Sequence, residues 1–212
     1  MNRYGRCALV SGVILFGSLA VARANTSAPR VEPIIVARHA PLGAVVSVIG
    51  SVTVPSGAFD NGFAIQGLID GIYVLDTLGS PHAIGDIVSV TGSVVDNYGL
   101  LSIQPTSVTL LFRAPPLLAY PARTGAVGEA TEGRLLHLKG AMVGSLVDDS
   151  PYGFKLDIDD GSGKVQIFLY PGTEISTTGL VAGAHVVTSC FSNQYEETYE
   201  CDPPSVASFR VE

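Results

Sequence analysis

One pattern is written twice along this chain, and the repetition constrains the fold more tightly than any other feature. Gly43-Ala-Val-Val-Ser-Val-Ile-Gly50 is matched by Gly133-Arg-Leu-Leu-His-Leu-Lys-Gly140, each a pair of glycines bracketing alternating apolar residues. Gly62-Phe-Ala-Ile-Gln66 is matched by Gly153-Phe-Lys-Leu-Asp157, and Gly85-Asp-Ile-Val-Ser-Val-Thr-Gly92 by Gly183-Ala-His-Val-Val-Thr-Ser-Cys190. From there Pro105-Thr-Ser-Val108 falls on Pro203-Pro-Ser-Val206 without a gap. The matched blocks lie 90, 91 and 98 residues apart, which means short loop insertions in the second copy.

Within each copy the apolar period is two, the signature of strands with one buried face. Val46, Val48 and Val52 lie on a first strand, Phe63 and Ile65 on a second, and Ile72 and Val74 on a third beyond the turn Gly67 to Gly71. In the second copy the equivalent turn is Asp159 to Gly163. An irregular or helical crossover is expected through Thr77 to Ile84 and through Thr173 to Ala182. Two further strands should close each unit, Ile87 to Val95 with Leu100 to Leu111, and Val186 to Ser192 with Thr198 to Arg210. Five strands with a crossover after the third is the order of the OB-fold. The expected class is all-β: two tandem OB-fold-like five-stranded Greek-key barrels, at residues 41–112 and 132–212, joined by a Pro- and Ala-rich linker at 113–131.

Residues 1–24 have the three parts of a secretory signal. Arg3 and Arg6 precede the uncharged run Ala8 to Val21, and Ala22-Arg23-Ala24 places small residues where a signal peptidase reads. The run is too short to span a bilayer, so no membrane span is expected after cleavage, and residues 25–40 become an N-terminal extension. Export to the periplasm or medium puts Cys190 and Cys201 in an oxidising compartment, where an even pair predicts a disulfide between the fourth and fifth strands of the second copy, at directly opposed positions. The whole chain carries a formal charge of -7. Cleavage takes away three arginines and no acid, leaving a more acidic protein.

The strings Glu132 to Gly140, Gly153 to Leu169 and Tyr195 to Pro203 resemble the tandem OB-fold repeats of bacterial exported proteins, which often sit beside an extracellular endonuclease/exonuclease/phosphatase domain or a lamin-tail domain. The resemblance covers nearly everything from Pro41 onward. It implies a binding module, with nucleic acid as an associated ligand.

The residues themselves point to no chemistry of bond making. Asp157, Asp159 and Asp160 precede Gly161-Ser-Gly163, but no acid closes an EF-hand loop, and carboxylates here suit turn amides better than a metal. His39, His82, His137 and His185 share no ligand spacing, and there is no nucleophile elbow or phosphate loop. No catalytic residue, metal or cofactor is expected. What remains is the barrel surface. Lys155, Gln166, Phe168 and Tyr170 in the second copy and Tyr73 in the first alternate away from the apolar core, so they either contact a ligand, with the rings stacking on sugars or bases, or pack the two barrels together. Charge bears on the ligand. From Gly43 to Leu111 there is no Lys or Arg, against five aspartates. A phosphate backbone would meet repulsion there, so a glycan or another exported protein is the expected partner, and single-stranded nucleic acid the alternative. The signal reading is checked by the mass of exported protein, which should begin at Asn25; material retaining Arg3 or Arg6 would refute it.

Overall fold

The computed structural model describes residues 29–60, 62–75, 78–79 and 81–212. The signal segment and its cleavage point lie outside these, as do Thr77 and Ser80 of the first crossover. The first sheet contains β1 (Val31–Glu32), β2 (Val45–Val54), β3 (Gly62–Gln66), β4 (Gly71–Leu75), β5 (Asp86–Asn97) and β6 (Leu100–Arg113), with the short helix α1 (Ile34–Arg38) before β2. The second contains β7 (Tyr120–Pro121), β8 (Leu135–Asp148), β9 (Phe154–Asp159), β10 (Lys164–Leu169), β11 (His185–Tyr195), β12 (Thr198–Asp202) and β13 (Phe209–Val211).

Each sheet closes on itself in one order. In the first, β2-β3-β4-β6-β5 returns to β2, and in the second, β8-β9-β10-β12-β11 returns to β8. The closing contacts β4 with β6 and β10 with β12 are parallel, and the other pairs within each ring are antiparallel. This is the OB-fold strand order, so the chain is two tandem OB-fold-like barrels. Closure matters energetically because it removes the sheet edges whose N–H and C=O groups would otherwise lack partners. Val48, Phe63, Ile65, Ile72, Val90 and Ile103 fill the first barrel, and Leu136, Leu138, Leu156, Ile158, Ile167 and Val186 the second.

The repeat is preserved down to the register. Val46 opposes Gly92 as Leu136 opposes Cys190, and Val94 opposes Ile103 as Ser192 opposes Cys201. The middle block differs from the sequence alignment by two residues: Gln66 pairs with Gly71 as Asp159 pairs with Lys164, so Gln66 corresponds to Asp159 and not to Asp157. A two-residue slip leaves every side chain on its own face, so an apolar period of two cannot detect it.

Three further expectations change in detail, and one holds. Thr198 to Arg210 is not one strand. Pro105, the single proline of β6, is absorbed at an irregularity opposite Gly92, whereas Pro203-Pro204 removes two consecutive donors and breaks the strand into β12 and β13. The crossover of the second copy is irregular, as expected, and is entered through a 3-10 turn at Pro171–Thr173. The disulfide Cys190–Cys201 is present, with Cα atoms 5.2 Å apart, but it runs diagonally, because Cys201 opposes Ser192 and Cys190 opposes Leu136. Finally, the flanking segments are less separate than their composition suggests. Ile34 and Ala37 of α1 are buried in the first core. In the linker, β7 pairs with β8, Ala122 and Val127 pack on the second core, and the Thr124 hydroxyl donates to Asp160 Oδ1 at 2.9 Å.

The barrels share an apolar cluster. Val54, Ala58, Phe59, Ala64, Tyr73 and Leu100 of the first pack with Phe191 of the second, and Tyr170 leans on the edge. Beside it Gly71 and Gly133 abut so closely that a Cβ on either would strike the other's carbonyl, and Gly133 has φ +81°. The Arg38 guanidinium spans this contact, donating to the Gly71 carbonyl (3.2 Å) and to Glu132 Oε1 (3.0 Å) with both side chains largely buried. Replacing Gly133 by Ala adds a side chain where neither the φ nor the space admits one. It should cost more than ~1 kcal/mol and split one cooperative urea transition into two, read by tyrosine fluorescence; an unchanged single transition would show that the contact is dispensable.

Candidate binding face of the second barrel

Burial between the barrels decides which OB face stays open. On β3 and β4 of the first barrel, Ala64 and Tyr73 (6% exposed) lie in the shared cluster, and Gln66 Oε1 accepts from the Leu135 backbone N–H at 2.7 Å. That face is covered by the second barrel. The matching face of the second barrel, on β9 and β10, carries Lys155, Asp157, Lys164 and Gln166, all with some solvent exposure.

The sequence-predicted residues divide accordingly. Tyr73 meets Phe191 across the junction, ring centroids 5.9 Å apart. Tyr170 stacks on Phe59 of the first barrel at 4.8 Å and meets Phe168 edge-on at 4.5 Å. Phe168 is 7% exposed, with Lys155 Nζ 5.6 Å from its ring centre. Tyr73 and Tyr170 are therefore drawn into the junction, whereas Phe168 is buried within the second barrel against Tyr170 and beneath Lys155. Lys155 and Gln166 stay at the surface beside them. Tyr152, 69% exposed, faces solvent at the mouth of a cleft of about 210 Å³ that it lines with Asp60, Pro151, Tyr170 and Pro171.

The open face is electrostatically self-satisfied. Lys164 Nζ sits 2.7 Å from Asp157 Oδ2, and Lys155 Nζ 2.7 Å from Asp149 Oδ2. Charge and hydrogen bonding to Asp157 hold the Lys164 ammonium above the ordinary lysine range. The acidic turn behaves as a turn: Asp159 Oδ1 accepts from the Gly161 (2.7 Å) and Gly163 (3.2 Å) amides, and Asp160 from Ser162 and Thr124. Those donors to Asp160, the Ser162 hydroxyl first, hold its carboxyl far below the usual carboxylate range. No group of three or more ligating side chains among the described residues is arranged to hold a metal.

Behind this face lies a polar group that sequence reasoning missed. Asn193 Nδ2 donates to both Glu200 Oε1 (3.1 Å) and Asp202 Oδ2 (2.7 Å), and Gln166 Nε2 donates to Glu200 Oε2 (2.6 Å). Asp202 is fully buried and its Oδ1 has no partner. Burial raises both carboxyls, and for Asp202 the neighbouring Glu200 adds to it, against donors from Asn193 and Phe168. Two carboxylates sharing one amide in a dry junction cannot both ionise cheaply, so the pair keeps a proton above the ordinary carboxylate range. The available signal was alternation: Cys201 must point inward to reach Cys190, which turns Glu200 and Asp202 to the opposite side.

No protein-family model matches the sequence, and no curated protein matches it. Solved structures of loosely similar shape include the p204 HINb domain (15% identity, TM-score 0.37, covering 81% of this chain and 98% of that one). Another is p202 HIN1 in complex with 12-mer dsDNA (13%, 0.40, 82% and 96%). A third is a replication protein A heterotrimer bound to ssDNA (10%, 0.35, 81% and 49%). A likeness this loose carries neither ancestry nor ligand to this chain.

The buried pair sets a pH dependence of fixed sign. Its pKa values are raised on folding, so the stability it contributes is fully present below the unfolded carboxylate value of about 4 and is lost as pH rises from there through the raised folded value. Asp86 and Asp160, whose carboxyls are lowered, act in the opposite sense at more acid pH. Urea midpoints should therefore fall from about pH 5 toward neutrality, and Asp202→Asn should flatten that slope and raise stability at pH 7; an unaltered slope would place its origin elsewhere.

Proposed function

We propose that this chain is an exported, non-catalytic binding module in which the first barrel serves as a platform and the second presents the ligand surface. One observation carries the reading. The OB face of the first barrel is consumed by the junction, while β9 and β10 keep a polar face open at its edge, next to the tyrosine-lined cleft of Tyr152 and Tyr170. The resemblance to exported tandem repeats and the disulfide agree with an oxidising compartment.

The finer question is the ligand. A glycan or exported protein fits the charge, because the lysines of the open face are already held by Asp149 and Asp157 and would have to be released before they could neutralise phosphates. Single-stranded nucleic acid is the second reading, favoured by the juxtaposition of Lys155, Lys164 and Gln166 on the strands that OB-folds use for such ligands. Salt separates the two. A labelled oligo-dT strand bound through phosphates should lose affinity steeply between about 50 and 200 mM salt, whereas retardation in glycan-containing gels, or capture of an exported protein, should scarcely respond. We expect no salt-sensitive oligonucleotide binding; a steep slope abolished by Lys155→Ala with Lys164→Ala would establish the second reading instead.

A further inference from the structure

The two copies meet a second time, at the tips of equivalent hairpins. The β5–β6 turn at Tyr98-Gly99 and the β11–β12 turn at Glu196-Glu197 lie side by side. Glu196 N–H donates to the Tyr98 carbonyl (2.5 Å), Gly99 forms an antiparallel bridge with Tyr195, and Gln194 Nε2 donates to the Glu196 carbonyl (2.6 Å). On this joined edge Tyr98 and Tyr195 stand 5.8 Å apart, centre to centre, with 67% and 54% of their surface exposed. Unlike Tyr73 and Tyr170, these rings stay more than half exposed although they meet each other across this contact. Exposed carboxylates lie on the same tips: Glu196 and Glu197 beside Tyr195, and Asp96, whose Oδ1 accepts from the Gly99 amide at 3.0 Å.

Charge separates this edge from the open face of the second barrel. There each lysine has its aspartate. Here none of the ion pairs formed among the described residues involves Asp96, Glu196 or Glu197. An aromatic pair among unneutralised carboxylates is complementary to a group that is flat, cationic and able to fork to an oxygen pair. A guanidinium meets all three requirements, stacking on a ring face while donating to carboxylate. The molecule contains the stacking half of this geometry already, since Arg134 lies over the Tyr120 ring with its guanidinium carbon 4.5 Å from the centre. Phosphates would be repelled, and a neutral sugar would leave the carboxylates unused.

We propose that the joined hairpin tips form a docking surface for an arginine-bearing segment of an exported protein, held on Tyr98 and Tyr195 and by Glu196 and Glu197. The proposal rests on the reading of this chain as a binding module for exported partners, and makes the tips, not the β9–β10 face, the place where a protein partner is recognised. The ordering cost on this side is small, because the bridge between the two turns already fixes the backbone that carries the rings.

The experiment titrates the whole mature chain with a synthetic (Arg-Gly)4 peptide, with (Lys-Gly)4 and (Glu-Gly)4 for comparison, by calorimetry. Binding of the arginine peptide is expected, weaker for lysine and absent for glutamate. Tyr98→Ala with Tyr195→Ala, and separately Glu196→Gln with Glu197→Gln, should each weaken it at least tenfold. Glu174→Gln with Glu212→Gln, which removes the same charge from exposed positions outside the tips, should change it less than twofold. The glutamine variants keep the backbone and side-chain shape, so they test the site even if the alanine pair melts at a lower temperature. Equal weakening by both charge variants would reduce the effect to net charge and overturn the proposal, as would failure of the unaltered protein to bind. Salt-sensitive oligonucleotide binding that tip variants leave intact would instead overturn the reading of the module's partner.

Discussion

The packing of the first barrel's β3–β4 face against the second barrel governs the rest of the molecule. A five-stranded barrel this small encloses a narrow core, and its outer faces still carry apolar side chains that water disfavours. Joining two such barrels through Phe59, Tyr73, Phe191 and Tyr170 withdraws these rings from solvent. Everything functional follows from which face was used. The β3–β4 face of the first copy is covered, the matching β9–β10 face of the second stays exposed, and the two hairpin tips are brought side by side.

Glycines make that packing possible in a way side chains could not. The approach of Gly71 to Gly133 brings backbone to backbone, so the Arg38 guanidinium can reach a carbonyl of one barrel and a carboxylate of the other. Burial raises the Glu132 carboxyl against the pull of Arg38, which makes the ion pair a device for orientation more than a source of stability. The Glu200–Asp202 pair shows the same tension. It lies where the alternation of a disulfide-bearing strand must put it, and the junction then dries it.

The acidic character of the chain is also not uniform in meaning. Asp157, Asp159 and Asp160 are committed to turn amides, hydroxyls and lysine. Glu200 and Asp202 are internal. The carboxylates of the Tyr98 and Tyr195 tips, and Asp60 beside Tyr152, combine exposure with aromatic neighbours, so net charge treats as alike groups whose surroundings differ.

Much of the architecture was legible in the linear chain because its causes are local. Alternating valines and isoleucines specify strands, glycine pairs mark their ends, and a gap-free block carries the fourth and fifth strands of one copy onto those of the other with the same pairing. The even cysteine pair foretold its bond, though not its diagonal course, since alternation tells which face a residue takes and not which neighbour it meets. The two-residue slip in the β9–β10 correspondence has the same origin. What only the tertiary structure decided is the fate of outward-facing residues. Period two sends Tyr73, Phe168 and Tyr170 away from their own barrel cores, but whether outward means solvent or the other barrel depends on how two rigid bodies meet, and that depends on contacts between residues far apart in sequence, such as Gly71 with Gly133 and Tyr73 with Phe191.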